Sequence, residues 1–146
     1  MDKRTRKREP CAWQVAMKTE DTSSTPGQRR KVLAIDDDAF MRGLLKLHLE
    51  NAGYEVLLAE DGIQGGYLAM HAAPDLVLID VQMPHMSGYE LVQAMKADPA
   101  TKHIPVVFLT SDDDVEERSG KIGAEACLKK PVKADRLLAL VGFLTR

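Results

Sequence analysis

The sequence predicts an α/β fold in which five parallel strands form one doubly wound sheet with helices on both of its faces. Short apolar runs alternate five times with segments of helical periodicity, and this strict alternation is typical of a parallel sheet. The runs at 32–35 and 76–79 are apolar without interruption, as expected for strands that are covered on both sides. Both runs lead directly into aspartates, which places carboxylates at the carboxyl edge of the predicted sheet.

The composition is that of an ordinary globular chain with one domain. Apolar residues make up 45% and charged residues 29% of the 146 positions. No apolar run approaches the roughly 20 residues that a membrane helix needs, and no secretory signal is evident, so we expect a cytoplasmic protein without a membrane span. Cys11 and Cys127 lack a second cysteine or histidine at ligand spacing, which argues against a disulfide and against a zinc site.

Charge divides the chain near residue 30. Residues 1–31 hold nine Lys or Arg and four Asp or Glu, a net charge of +5, whereas residues 32–146 have a net charge of −7. We interpret residues 1–30 as a basic, disordered tail and residues 31–146 as the domain. Met17 offers an alternative translation start, in which case residues 1–16 would not belong to the native protein.

Periodicity and capping residues define the predicted elements. The apolar runs predict five strands, at 32–35, 54–59, 76–79, 105–110 and 126–129. The amphipathic segments predict five helices, at about 39–52, 62–73, 88–97, 111–121 and 133–144. Asp38 and Ser87 are suited to cap the first and third helices, Gly53 can close the first in a left-handed turn, and Pro74 stops the second.

The segment 75–88 holds the most informative carboxylate. Asp80 follows the third strand, and Pro84 and Gly88 then prevent the strand from continuing and force a turn. Open α/β sheets bind their ligands beyond the carboxyl ends of the strands. Asp80 is therefore the first candidate for chemistry.

Polar residues follow other strands at the same edge of the predicted sheet. Asp36 and Asp37 follow the first strand, Thr110 ends the fourth and Lys130 follows the fifth. Clustered carboxylates repel one another and lose hydration unless a cation neutralises them, and a few hard oxygen ligands favour Mg²⁺. An acidic nucleophile, a divalent metal, a lysine and a hydroxyl suit phosphoryl transfer, with Asp80 as the acceptor.

Four segments resemble, in order and spacing, the receiver domain of bacterial response regulators in two-component signalling: VLAIDDD, LVLIDVQMPHMSG, VVFLTS and LKKP. The resemblance covers roughly residues 31–145. It implies a flavodoxin-like sheet with the strand order 2-1-3-4-5. It also implies a chemotaxis-regulator-like, stand-alone receiver, because no residues remain for an output domain after the last predicted helix.

The resemblance implies roles for single residues. Asp80 matches the phosphoacceptor, Asp37 the direct metal ligand and Asp36 its partner, which usually acts through water. The backbone carbonyl of Gln82 matches a third protein ligand of Mg²⁺.

Thr110 and Lys130 match the residues that hold the phosphoryl oxygens and signal their arrival. Cys127 stands where family members often have Tyr or Phe, which works with the threonine as a rotamer switch. This departure leaves the phosphorylation site intact and the route of output open. We interpret Cys127 itself as a small buried apolar residue.

The resemblance also implies partners. The donor would be a phosphohistidine on a sensor histidine kinase or a histidine phosphotransfer protein. Output would come from an unidentified downstream protein that docks on the surface, or from onward phosphotransfer, and phosphorylation-dependent dimerisation stays open. Such a receiver phosphorylates and dephosphorylates itself and is not an enzyme that turns over external substrates.

Two other classes of function remain as alternatives. A Mg²⁺-dependent small-molecule phosphatase usually carries an Asp-x-Asp pair on one strand, whereas Asp80 is followed by Val81 and Gln82. A nucleic-acid-binding protein could use the basic arm, but the acidic domain and the lack of a helix-turn-helix pattern argue against nucleic acid as a partner.

Overall fold

The computed structural model describes residues 29–83, 85–111 and 123–146. Within these ranges the strands are β1 (Lys31–Ile35), β2 (Glu55–Ala59), β3 (Leu76–Asp80), β4 (Val106–Thr110) and β5 (Ala126–Lys129). The helices in the same ranges are α1 (Ala39–Asn51), α2 (Gly62–His71), α3 (Gly88–Ala97) and α4 (Ala134–Leu144).

All five strands pair in parallel in one sheet of order β2-β1-β3-β4-β5. The predicted flavodoxin-like architecture and the strand order 2-1-3-4-5 are therefore confirmed. Four of the five predicted helices correspond to α1–α4, within one or two residues at each end. The predicted helix at 111–121 lies, apart from Ser111, outside the described residues.

Side-chain caps fix the start of the helices on either side of the predicted site. The Asp38 side chain accepts a hydrogen bond from the Phe40 N–H at the start of α1. At the start of α3, Ser87 and Glu90 form a reciprocal capping box. Gly53 has a φ of 97° and follows α1, as the predicted left-handed turn requires.

The sheet separates two apolar clusters, because successive residues of a strand point to opposite faces. One face packs against α2 and α3, with α3 contributing Leu91, Val92 and Met95. The other face packs against α1 and α4 through Leu45, Leu49, Leu137 and Val141. The side chains of β1, β3 and β4 are almost entirely buried, which explains their uninterrupted apolar runs.

The third strand extends one residue further than its apolar run. Asp80 pairs in register with Leu109 of β4, and the Val81 N–H donates to the Leu109 carbonyl. Asp80 is thus the last residue of a central strand, which restricts the position of its backbone. None of the helices in the described ranges is long and apolar enough to cross a membrane.

Candidate functional site

The polar residues singled out in the sequence converge at the carboxyl edge of the sheet. Asp36 directly follows β1, Asp80 ends β3, Thr110 ends β4 and Lys130 directly follows β5. They line an open cavity of roughly 270 Å³, whose walls are Asp36, Asp37, Asp38, Asp80, Gln82, Thr110, Ser111 and Lys130. Convergence was expected from the parallel topology, since all carboxyl ends of such strands share one edge.

Three carboxylates meet in this cavity. Asp36, Asp37 and Asp80 each offer an oxygen, and these oxygens lie within 4.8 Å of one another. Asp36 is fully buried and Asp80 is 8% exposed, whereas Asp37 faces solvent. The cluster therefore has two buried acids and one that is open to incoming ligands.

Lys130 reaches across the sheet edge to the two buried acids. Its Nζ lies 3.2 Å from Asp36 Oδ2 and 3.4 Å from Asp80 Oδ2. Its backbone N–H donates to the Thr110 carbonyl at 2.7 Å, which fixes the start of the lysine side chain beside β4. A single ammonium thus bridges the acids that follow β1 and end β3.

The electrostatics of the cavity favour an additional cation. Burial raises the pKa of Asp80, and the Asp36 carboxylate raises it further, to about 6, although Lys130 and the Gln82 N–H lower it in part. Burial alone would lower the pKa of Lys130, but Asp36 and Asp80 outweigh burial and raise it. The acidic group therefore holds more negative charge than one lysine offsets, and its hard oxygens can hold a metal cation.

The remaining predicted residues differ in their relation to the cavity. Thr110 is 7% exposed and lines it, and the Gln82 N–H donates to Asp80 Oδ1 at 3.3 Å. Cys127 does not line it; it pairs in register with Phe108 and packs against the cluster on the α2/α3 face. The prediction that Cys127 is a buried residue was too strong, because β5 is an edge strand and leaves it half-buried.

Sequence reasoning overlooked Arg42. Its guanidinium donates from Nη1 to the Asp36 backbone carbonyl at 2.7 Å. The Arg42 N–H also bonds to the Asp38 carbonyl in the first turn of α1. The sequence did contain a signal for this contact, namely a basic residue in the first turn of the helix that follows the acidic strand end. Side chains in a helix point back toward its N-terminus, so Arg42 can reach the segment that precedes α1.

Comparisons with known proteins agree with this geometry. Residues 32–142 match the model of the response regulator receiver domain. The polar-differentiation response regulator DivK of Brucella anthropi is 32% identical over 114 residues, which are 77% of this chain and 93% of DivK. The chemotaxis response regulator CheY4 of Vibrio cholerae superposes with a TM-score of 0.76 at 33% identity, covering 80% of this chain and 99% of CheY4.

Other relatives are longer than the matched region. The DNA-binding dual master transcriptional regulator RpaA of Synechocystis is 36% identical over 118 residues, which are 80% of this chain but 49% of RpaA. The chain thus spans about half the length of this relative. Together with the parallel fold and the acidic cavity, the matches show that the chain belongs to the family of response regulator receiver domains, the phosphoacceptors of two-component signalling.

Proposed function

We propose that Asp80 is the residue that accepts the phosphoryl group. The observation that carries this proposal is the pair of contacts from Lys130 Nζ to Asp36 and Asp80, at 3.2 and 3.4 Å. These contacts place one cation between two buried acids in the lining of the cavity. Asp80 is the acid that ends a central strand, so its carboxylate is held in a fixed position for attack.

The transfer requires a donor with a labile phosphorus bond. A carboxylate oxygen of Asp80 forms a bond to phosphorus while the bond from phosphorus to the donor histidine nitrogen breaks, and that nitrogen keeps the electron pair. The product on this chain is an acyl phosphate, which water later hydrolyses. The donor is a sensor histidine kinase or a histidine phosphotransfer protein, by membership of the family.

The metal proposed for the site is Mg²⁺. Asp36, Asp37 and Asp80 offer carboxylate oxygens within 4.8 Å of one another. The proposed direct protein ligands are Asp37, Asp80 and, as the third, the Gln82 backbone carbonyl, with Asp36 acting through water. When bound, Mg²⁺ would neutralise charge on the phosphoryl oxygens. The acidic group suits this ion because its ligands are hard oxygens and Asp37 is open to solvent.

Thr110 and Lys130 are the proposed partners of the phosphoryl oxygens. Lys130 is held beside Thr110 by the 2.7 Å backbone hydrogen bond, so a new charge on Asp80 acts on both. Cys127 occupies the position where family members often have an aromatic residue, and it is half-buried and lines no part of the cavity. Output would therefore depend on Thr110 and on backbone movement more than on an aromatic rotamer. Output would then be docking of a downstream protein, onward phosphotransfer or dimerisation.

We also propose that the domain begins at residue 31 and that residues 1–30 are a basic N-terminal tail. Two observations support this boundary. The Lys31 N–H donates to Asp75 Oδ2 at 2.8 Å, which ties the start of β1 to the start of β3. The family match begins at residue 32.

Phosphorylation by a small acyl phosphate tests the proposal. The full chain, incubated with acetyl phosphate and Mg²⁺, should gain one phosphoryl group that hydroxylamine removes, and peptide mass spectrometry should place it on Asp80. Asp80→Asn should gain none, while Asp135→Asn, in an exposed position on α4, should behave as the wild type. Label that persists in Asp80→Asn would refute the assignment, and hydrolysis of simple phosphomonoesters would instead favour a phosphatase.

A further inference from the structure

We propose that Gly88 is a positioning residue for the reaction, because its missing side chain leaves the space in which the backbone of Asp80 lies. The inference rests on the proposed role of Asp80. It concerns a residue that does not touch the phosphoryl group and whose effect passes through the backbone at the end of β3.

The contact is unusually close and involves backbone atoms. A Cβ atom built on Gly88 would lie 2.5 Å from the Asp80 carbonyl oxygen, 3.2 Å from the Asp80 carbonyl carbon and 3.1 Å from Val81 Cα. A side chain in the way can rotate aside, but a strand backbone in a hydrogen-bonded sheet cannot. Any residue larger than glycine at 88 must therefore move the start of α3, the end of β3, or both.

A hydrogen bond holds the two segments in this arrangement. The Gly88 N–H donates to the Val81 carbonyl at 2.8 Å, which closes the loop between β3 and α3 at its base. Gln82 directly follows Val81, and its backbone N–H donates to Asp80 Oδ1 at 3.3 Å. Gly88 thus touches the segment that carries both the reacting carboxylate and the proposed Gln82 metal ligand.

The start of α3 is not free to retreat. The Ser87–Glu90 capping box fixes its first turn, with the Ser87 N–H donating to Glu90 Oε1 at 2.9 Å and the Glu90 N–H donating to Ser87 Oγ at 3.2 Å. One turn further along, Leu91 and Val92 are buried against the sheet. Because the start of α3 and the end of β3 are both held in place, a side chain added at residue 88 would displace the Asp80 backbone in part.

Other glycines provide a clear contrast. Among the glycines that the structure describes, Gly88 is the one whose added Cβ would meet backbone within 3.4 Å. Gly62 would meet only the Met86 side chain, with Sδ at 3.0 Å and Cβ and Cγ at 3.3 Å, and Gly43 would meet nothing within 4 Å. Gly43→Ala is therefore a matched control: the same chemical change in a helix, without contact.

The experiment compares phosphorylation rates of full-length variants with acetyl phosphate and saturating Mg²⁺. We expect Gly88→Ala to lower the maximal rate by about 10- to 100-fold, since displacement of a reacting group by about 1 Å has effects of this size. The acetyl phosphate concentration at half-maximal rate should change less than threefold, because Lys130 and Thr110 lie on other elements. Gly43→Ala should leave the maximal rate and the acetyl phosphate concentration at half-maximal rate unchanged. Val141→Ala, a core truncation on the opposite face, controls for lost stability alone.

Each outcome decides the proposal. A Gly88→Ala rate within twofold of the wild type overturns it, and so does a rate that falls no further than in Val141→Ala. If Gly88→Ala does not fold, Ser87→Ala decides instead, because it loosens the same turn without adding an atom. Its maximal rate should fall at least threefold below that of Val141→Ala, and any smaller fall overturns the proposal.

Absence of label on Asp80 in the wild type would refute the proposed function and with it this inference, whereas labelled wild type with unaffected variants refutes only the role of Gly88.

Discussion

At the scale of single residues, the site is a charge imbalance that folding creates. Asp36 is fully buried and Asp80 nearly so, and both carboxylates form ion pairs with the Lys130 ammonium. Burial and the neighbouring Asp36 carboxylate raise the pKa of Asp80, so Asp80 is costly to ionise, and groups with a perturbed pKa cluster at functional sites. Replacing Asp80 by a neutral residue should therefore abolish the proposed chemistry and yet stabilise the metal-free fold.

Asp80→Asn should stabilise the metal-free protein at pH 7.5. The pKa of Asp80 is raised from 3.8 in the unfolded chain to about 6, so the folded state binds this proton more tightly. The favourable contribution is complete below about pH 4 and is lost as the pH rises to about 6. Above that, ionised Asp80 costs on the order of 2–3 kcal/mol, at about 1.4 kcal/mol per pKa unit. Urea unfolding without divalent ions should show Asp80→Asn to be more stable at pH 7.5 by about that amount.

The difference should disappear near pH 3, below the pKa of Asp80 in the unfolded chain and in the folded protein, where the carboxyl is mostly protonated in both states. Glu55→Gln, an exposed change on β2, should show no gain at pH 7.5. Equal stability of Asp80→Asn and the wild type at both pH values would contradict the predicted charge imbalance.

Lys130→Ala should destabilise the metal-free protein and yet retain metal binding. Loss of one partner of a fully buried ion pair costs about 3–5 kcal/mol. The Lys130 side chain is 23% exposed, so we expect a smaller loss, about 1–3 kcal/mol, by urea unfolding. Isothermal titration should still detect Mg²⁺, because the oxygens of Asp36, Asp37 and Asp80 remain. Complete loss of Mg²⁺ binding would show that the lysine organises the carboxylates.

At the scale of elements, helix ends and glycines decide how closely the layers approach. Two adjacent glycines, Gly65 and Gly66, lie in the middle of α2, where each costs about 1 kcal/mol relative to alanine. Gly65 faces the sheet, and an added Cβ would clash with the Ile35 side chain at Cδ1. Gly66 faces α3, where an added Cβ would lie 3.5 Å from Leu91 Cδ1 at ordinary contact distance.

The two glycines of α2 should therefore respond oppositely to alanine. Gly66→Ala should stabilise the protein by about 0.5–1 kcal/mol, because helix propensity improves and the new methyl group fits. Gly65→Ala should destabilise it by about 1–3 kcal/mol, because the overpacked contact outweighs the gain in propensity. Thermal unfolding of both variants, with Gly43→Ala as the exposed helical reference, gives the comparison. Stabilisation by both would mean that the contact with Ile35 relaxes at little cost.

At the scale of the whole molecule, metal binding should appear as stability. A ligand that binds only the folded state at ten times its dissociation constant adds about 1.4 kcal/mol. Mg²⁺ should raise the unfolding midpoint of the wild type, and a chelator should reverse the effect. The rise should be smaller in Asp37→Asn, which removes a solvent-facing carboxylate from the group of three. An unchanged midpoint in the wild type at millimolar Mg²⁺ would argue against the proposed metal.

The sequence was sufficient for the parts of the fold that depend on local pattern and chain topology. Alternation predicted the parallel sheet, and the sheet predicted that Asp36, Asp80, Thr110 and Lys130 would meet. Contacts that depend on the exact register of the elements could not be predicted from the sequence. Lys96 bonds to the Ile104 carbonyl at 3.0 Å and lies 3.3 Å from Glu125, and neither contact follows from spacing along the chain.

Half-burial of Cys127 could not be predicted from its apolar neighbours for a similar reason. Burial of a strand depends on its place in the sheet, and strand order followed from family resemblance and not from periodicity. The close contact of Gly88 with Asp80 was also hidden, since a glycine after a strand first indicates a turn. Physical reasoning from sequence thus predicted which residues meet more readily than how tightly they meet.

The pairing of Lys130 with Asp36 joins residues 94 positions apart, and this separation has a consequence for biosynthesis. A ribosome delivers Asp36, Asp37 and Asp80 long before it delivers β5 and the lysine that follows it. A nascent chain that ends before residue 130 has the carboxylates but not their fixed ammonium, and its sheet lacks an edge strand. On the proposed function, competence to accept a phosphoryl group would therefore arise only once β5 and Lys130 have been synthesised.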